Sequence, residues 1–209
     1  LAALRACGIT RLVDAPPFEL NLACGDSLYH GRQRQQTLGD WTDESHYFHT
    51  EDADHLRRIL KEGTFHCVVA NPPYITPKDR AANQVYRELY PKTCHMKYSL
   101  AVPFIERIFA LAVRKDAAGF TGQITANSFM KREFGKKLIE SFFPTVDLTE
   151  VIDTGGAYIP GHNTPTVILF GRGRRWLEST LRTVMGIRGE PSTPNDPARG
   201  VVWSAIVEQ

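Results

Sequence analysis

Four consecutive residues, Asn71-Pro72-Pro73-Tyr74, carry the most chemistry in this chain. The side-chain oxygen of an asparagine and a neighbouring backbone carbonyl can together accept both hydrogens of an exocyclic amine. Two prolines fix their own φ angles and restrict the residue before each, so the Pro72 carbonyl has a set direction. An amine held this way turns its nitrogen lone pair toward an electrophile, which is catalysis by positioning. Tyr74 adds a flat face on which a ring can stack. The structural alternative is a proline-rich turn with a core tyrosine. Asp26, within Cys24-Gly25-Asp26-Ser27-Leu28, is the second candidate. Its carboxylate could accept hydrogen bonds from a bound nucleotide, or close an Asx-turn. His46 and His49 lack a third ligand at a familiar metal spacing, so they read as loop residues and no metal is expected.

These residues need elements to place them. Phe65 to Ala70 is a nearly continuous apolar run, which predicts a strand buried on both faces of a parallel sheet. Phe18 to Ala23 alternates apolar and polar and predicts another strand ahead of Asp26. Both candidates then follow strands, and in open α/β sheets ligands bind beyond the strands' carboxyl ends. A helix end at Leu1 to Cys7 closes with Gly8, residues 30–52 read as a long surface loop, and Ala53 to Lys61 reads as a helix behind Asp52. Residues 75–97 are rich in Lys78, Arg80, Arg87, Lys92 and Lys97 and read as a mobile loop. Val102, Ile105, Phe109 and Val113 mark an amphipathic helix over Ser99 to Arg114. Strands follow at Phe120 to Ala126, Leu148 to Ile152 and Thr166 to Phe170, with a helix at Arg132 to Phe143 stopped by Pro144. The last two strands have no helix between them, so they should run antiparallel. The pattern is α/β with a mostly parallel sheet. A further strand-like segment and a linker-like run, residues 191–200, come after Arg175, which suggests a division at 1–175 and 176–209.

The chain has 209 residues, of which 42% are hydrophobic and 23% charged, enough for one globular domain. No apolar run is long enough to span a membrane. Net charge is +2, unevenly spread: residues 1–71 carry 7 basic and 10 acidic side chains, leaving 18 and 13 for residues 72–209. The basic excess follows the Asn-Pro-Pro-Tyr run, as a phosphate-bearing partner would require. Of the four cysteines, none are spaced Cys-x-x-Cys, and Cys24 and Cys67 read as small buried hydrophobes. Reduced thiols fit a cytoplasmic protein.

Val69-Ala70-Asn71-Pro72-Pro73-Tyr74-Ile75 resembles the catalytic motif of S-adenosylmethionine-dependent adenine-N6 DNA methyltransferases. The likeness runs from about Leu20 to Arg174. Cys24-Gly25-Asp26-Ser27-Leu28 is similar to the segment whose acidic residue contacts the cofactor adenine. Ser99-Leu100-Ala101-Val102-Pro103-Phe104 looks like the helix start beside that adenine, with Phe104 in the aromatic position. Gln123 to Phe129 resembles the fifth-strand motif, and Asn163 to Phe170 the motif whose terminal aromatic holds a flipped base. Asp153-Thr154-Gly155-Gly156-Ala157-Tyr158-Ile159-Pro160-Gly161-His162 looks most like the phage-growth-limitation and BREX type of phage-defence methyltransferases.

The resemblance implies a Rossmann-like class I sheet, mostly parallel with its last strand antiparallel. It is expected to be incomplete, because no Phe-x-Gly-x-Gly pattern occurs in the sequence. In that family the glycine loop and first strands lie upstream of the position of residue 1 here. The implied catalytic residues are Asn71, Pro72, Pro73 and Tyr74, with Asp26, Ser27, Asn71 and Phe104 on the cofactor side. Tyr74, Phe170, Lys78, Arg80 and Arg172 would meet duplex DNA. Partner proteins of a defence system are a further implication. The same amine-holding logic would serve an enzyme acting on RNA or on a protein glutamine. A non-catalytic DNA-binding module is the third reading.

Overall fold

The computed structural model describes residues 2–16, 21–32, 48–115, 117–161, 163–177, 180–186 and 188–209. Five strands form one sheet: β1 (Cys67–Ala70), β2 (Phe120–Ala126), β3 (Asp147–Asp153), β4 (Thr166–Arg172) and β5 (Arg182–Met185). Their order is β1-β2-β4-β3-β5. β1 pairs parallel with β2, and β5 parallel with β3, while β4 lies antiparallel between β2 and β3. Four strands therefore point one way and β4 returns against them, as the absent helix between β3 and β4 required. β5, which lies beyond residue 175, pairs with β3 in the same sheet. The run 191–200 is also tied down: the Glu190 carboxylate accepts the amides of Val201 (3.0 Å) and Val202 (2.7 Å) at the start of a terminal helix, Val201–Val207.

The helices are α1 (Ala2–Ala6), α2 (Ala53–Ile59), α3 (Arg80–Leu89), α4 (Ala101–Leu111) and α5 (Val201–Val207). Among the described residues no helix is long and apolar enough to cross a membrane. α4 is the central one: Val102, Ile105 and Phe109 are buried against β1 and β2. Gly171 of β4 makes that packing possible. A Cβ there would stand 2.5 Å from the Phe109 ring and 2.7 Å from the Asp147 carbonyl. Gly171→Ala should cost about 1–3 kcal/mol through overpacking, read as a lowered urea midpoint.

Several expectations need correction. Residues 80–89 are a helix, not loop: Asp79 caps it by accepting the Ala82 amide at 2.7 Å, and Ala82, Val85 and Tyr86 are buried. β1 is shorter than the apolar run and forms the sheet edge among the described residues. Val69 is 79% exposed and Cys67 is also exposed, so neither is core. Cys24 is exposed too, in a stretch from Asn21 without strand pairing; residues 18–20 of that expected strand lie outside the described residues. The only buried cysteine among those described is Cys94, whose thiol burial pushes up to about 12. The helix expected over 132–143 is present but irregular: residues 133–145 stay helical while the turns pass from 3-10 through α and π and back to 3-10. Gly135, in its first turn, sits against the Phe129 backbone carbonyl with no room for a Cβ. Most of the expected loop 30–52, including His46, lies outside the described residues. His30 and Phe48 at its ends are buried, and Phe48 stacks on Tyr29.

Candidate active site

β1, β2 and β3 all end at one edge of the sheet, and the chain leaves β1 directly into Asn71. Pro72 is buried and Pro73 exposed, so the corner is wedged on one side only. The Ile75 carbonyl accepts the Leu100 amide at 2.8 Å, which fixes the far end of the motif to the start of α4. The Asp79 cap follows, and between these two anchors the chain presents Lys78, exposed like Arg80 just beyond the cap. Asn71 itself is exposed, and its Oδ1 accepts the Tyr74 phenol at 2.8 Å. Burial raises the Tyr74 pKa, so the phenol remains a donor at neutral pH. An amide oxygen has two lone pairs. Tyr74 fills one, which sets the Asn71 rotamer and leaves the other for an incoming hydrogen.

Asp26 is heavily engaged. Its Oδ1 accepts the amides of Leu28 (2.9 Å) and Tyr29 (2.7 Å), and its Oδ2 accepts the Tyr86 phenol at 2.5 Å. It therefore closes an Asx-type turn and ties that turn to α3. A carboxylate offers about four acceptor positions, so one is left for a ligand. Ser27 beside it is half-buried. Phe104 is half-buried on the first turn of α4, packed against the core.

Two expected DNA-facing residues fall away from this edge. Phe170 is paired with Gly122, and through it level with Val69, so its ring lies on the open sheet face against Gly122. Arg172 is level with Phe120 and Cys67, at the opposite edge. Its guanidinium covers the Phe120 ring at 3.8 Å and its Nε donates to the Ala118 carbonyl at 3.0 Å. The likeness of the 163–170 segment led to Phe170, but β4 runs away from the edge, and each residue along it adds about 3.3 Å.

A further aromatic near this edge is Tyr158, in the connection between β3 and β4. Thr154 and Thr166 clamp that connection: the Thr154 N–H donates to the Thr166 carbonyl at 3.0 Å, and their hydroxyls pair at 2.7 Å. Tyr158, Ile124, Ile168 and Trp203 line an apolar cavity of about 250 Å³. Ile124 follows Gln123, the partner of Ala70, so continuing the register sets it beside Asn71. Asn127, just past β2, and Asp153, the last residue of β3, meet at the same edge, with Asn127 Nδ2 3.4 Å from Asp153 Oδ1. The rule that singled out Asn71, a polar residue just past a strand, also marks Asn127. Tyr158 had only its turn-rich context to mark it.

The parallel-biased sheet with a polar corner at its carboxyl edge defines a class I methyltransferase-like α/β domain. The sequence model of the Eco57I restriction-modification methylase family matches residues 15–159, and the chain belongs to that family. It is 52% identical over 225 aligned positions, covering 100% of this chain, to the adenine-specific methyltransferase PglX of Streptomyces coelicolor. It is 29% identical over 151 positions, 65% of this chain, to a type II methyltransferase of Pseudomonas aeruginosa. The chain spans 18% of the first relative and 25% of the second. In fold it is similar to the methyltransferase subunit of a type I restriction-modification system from Streptococcus thermophilus. The TM-score is 0.51 at 12% identity, over 70% of this chain and 30% of that one.

Proposed function

We propose that the parent protein transfers a methyl group from S-adenosylmethionine to N6 of an adenine rotated out of duplex DNA. It would do so in the cytoplasm, as the modification component of a phage-defence system. The observation that carries this is the Asn71-Pro72-Pro73-Tyr74 corner: stiff, at the carboxyl edge, with the Asn71 oxygen already oriented by Tyr74. The name of the Streptomyces relative, an adenine-specific methyltransferase, supports adenine as the substrate. The residues present fit the adenine end of the cofactor, through the free acceptor position of Asp26 and the ring of Phe104. A glycine loop for the remainder is not in this sequence. When bound, the cofactor supplies an electrophilic sulfonium methyl. The chain's own part is to hold the amine: Asn71 Oδ1 and the Pro72 carbonyl accept its two hydrogens, and Tyr74 stacks on the base. The apolar cavity lined by Ile124 and Tyr158 opens at the same sheet edge and would receive a face of the base. Unstacking the base costs about a few kcal/mol, met by these contacts. Lys78 and Arg80 would contact phosphates, whose role is positioning and not sequence readout.

The test is incubation of the full-length parent with labelled S-adenosylmethionine and with duplex DNA, RNA or protein. Label is expected in DNA. Label only in RNA or protein would reassign the substrate, and none with any substrate and all defence partners present would leave a non-catalytic module.

Tyr74 separates stacking from orientation. Tyr74→Phe keeps the ring and loses the bond to Asn71, so kcat should fall by about tenfold or less, in line with one neutral hydrogen bond. Tyr74→Ala loses stacking worth roughly 1–3 kcal/mol and should raise the DNA KM by about ten- to a hundredfold. Steady-state kinetics on the two variants checks both.

A further inference from the structure

We propose a second ligand site, for a phosphate group carried by a nucleotide-sized molecule, at the sheet edge opposite Asn71. Seven residues of β2 separate the two edges by about 20 Å, so this site is no part of the methyl-transfer corner. It is a cavity of about 460 Å³ toward which Arg32, Lys92, Arg114, Arg174 and Arg175 converge. That is within the size range of small-molecule pockets.

The charges do not cancel. Arg32 is answered by Glu106 at 2.5 Å and Glu62 at 3.2 Å, and Arg174 by Asp147 at 2.7 Å. These pairs make the wall rigid without adding net charge. Lys92, Arg114 and Arg175 have no carboxylate partner among the described residues, and all three are exposed. Three like charges facing one hollow repel each other, and an anion relieves that repulsion. A phosphate, with its charge of about −1.5 to −2 and three acceptor oxygens, matches two guanidinium forks and an ammonium. Val146, half-buried, gives the same wall an apolar patch that a flat ring could touch. A concave site of this size admits a nucleotide, or a single phosphate of a DNA backbone bound across its mouth.

The experiment is calorimetric titration of the full-length parent with ATP, with inorganic tripolyphosphate and with a 20-base-pair duplex. Each is repeated on Lys92→Ala, Arg114→Ala and Arg175→Ala. Each variant should raise the Kd of the bound probe by about tenfold, as expected for one charge-assisted hydrogen bond, and saturating S-adenosylhomocysteine should not displace it. ATP binding without tripolyphosphate binding assigns the ring to the apolar wall, and both binding assigns the phosphates alone. An effect of the variants on duplex binding only assigns the phosphate to DNA. Absence of heat and of any thermal shift for all three probes on the unmutated protein would overturn the site. Binding that all three variants leave unchanged would do the same.

Discussion

Asn71→Ala in the parent protein is expected to lower methyl transfer by about two to three orders of magnitude, the usual loss when one oriented transition-state contact is removed. The substitution deletes the acceptor for one amine hydrogen and also frees Tyr74, whose phenol loses its 2.8 Å partner. The amine then turns, and its lone pair leaves the line of attack. Stability should hardly change, because Asn71 is exposed and its backbone is fixed by Pro72 and by the Ile75–Leu100 bond. The loss should therefore fall on kcat, with an unaltered urea midpoint. Kinetics and unfolding of the same preparation check the pair of statements together.

Glu106→Ala is expected to act on stability. Glu106 is 3% exposed, holds Arg32 through Oε1 at 2.5 Å and accepts the Thr93 hydroxyl through Oε2 at 2.8 Å. Burial works against the Arg32 charge, but Glu106, with smaller help from Tyr90 and Glu62, offsets it, and the Arg32 pKa ends above its usual value. Removing the carboxylate leaves a part-buried guanidinium with the Leu89 carbonyl and Glu62, plus a Thr93 hydroxyl without its better acceptor. Breaking a buried pair in this way costs about 3–5 kcal/mol, and the remaining partners of Arg32 place this case near the lower end. The double variant Arg32→Met with Glu106→Leu should recover much of the loss, since neither charge is then stranded. Denaturant midpoints of the single and double variants test this.

The regular parts of the fold were legible in the sequence where one physical signal dominated. β2 has its expected limits, and β3 and β4 extend theirs by one or two residues, because alternating or continuous apolar runs between turns allow few other structures. α4 followed from the spacing of Val102, Ile105 and Phe109. α3 was obscured: Ala82, Val85, Tyr86 and Leu89 share one face, but the basic residues among them suggested a solvated loop. The close approach of Gly135 to the Phe129 carbonyl is a contact that no periodic pattern contains. Exposure of Val69 depends on which strand lies next to β1, and the run itself carries no such information.

The candidate site divides the same way. Asn71 to Tyr74 could be read directly, since the prolines determine the geometry locally. Asp26 was correctly seen as able to close a turn, and its bond to Tyr86 could be seen only with α3 in place. Phe170 and Arg172 lie two and four residues beyond Ile168 along β4, a placement that only the pairing register reveals. Tyr158 reaches the edge because the β3–β4 connection must return there.

The most direct measurement is nucleoside analysis, by mass spectrometry, of DNA from cells carrying the full-length parent with its defence partners or the same system with Asn71→Ala. N6-methyladenine should be present with the unmutated protein and absent with the variant. Equal N6-methyladenine in both would contradict the assignment of the amine-holding corner to Asn71, and its absence from both would contradict adenine N6 as the acceptor.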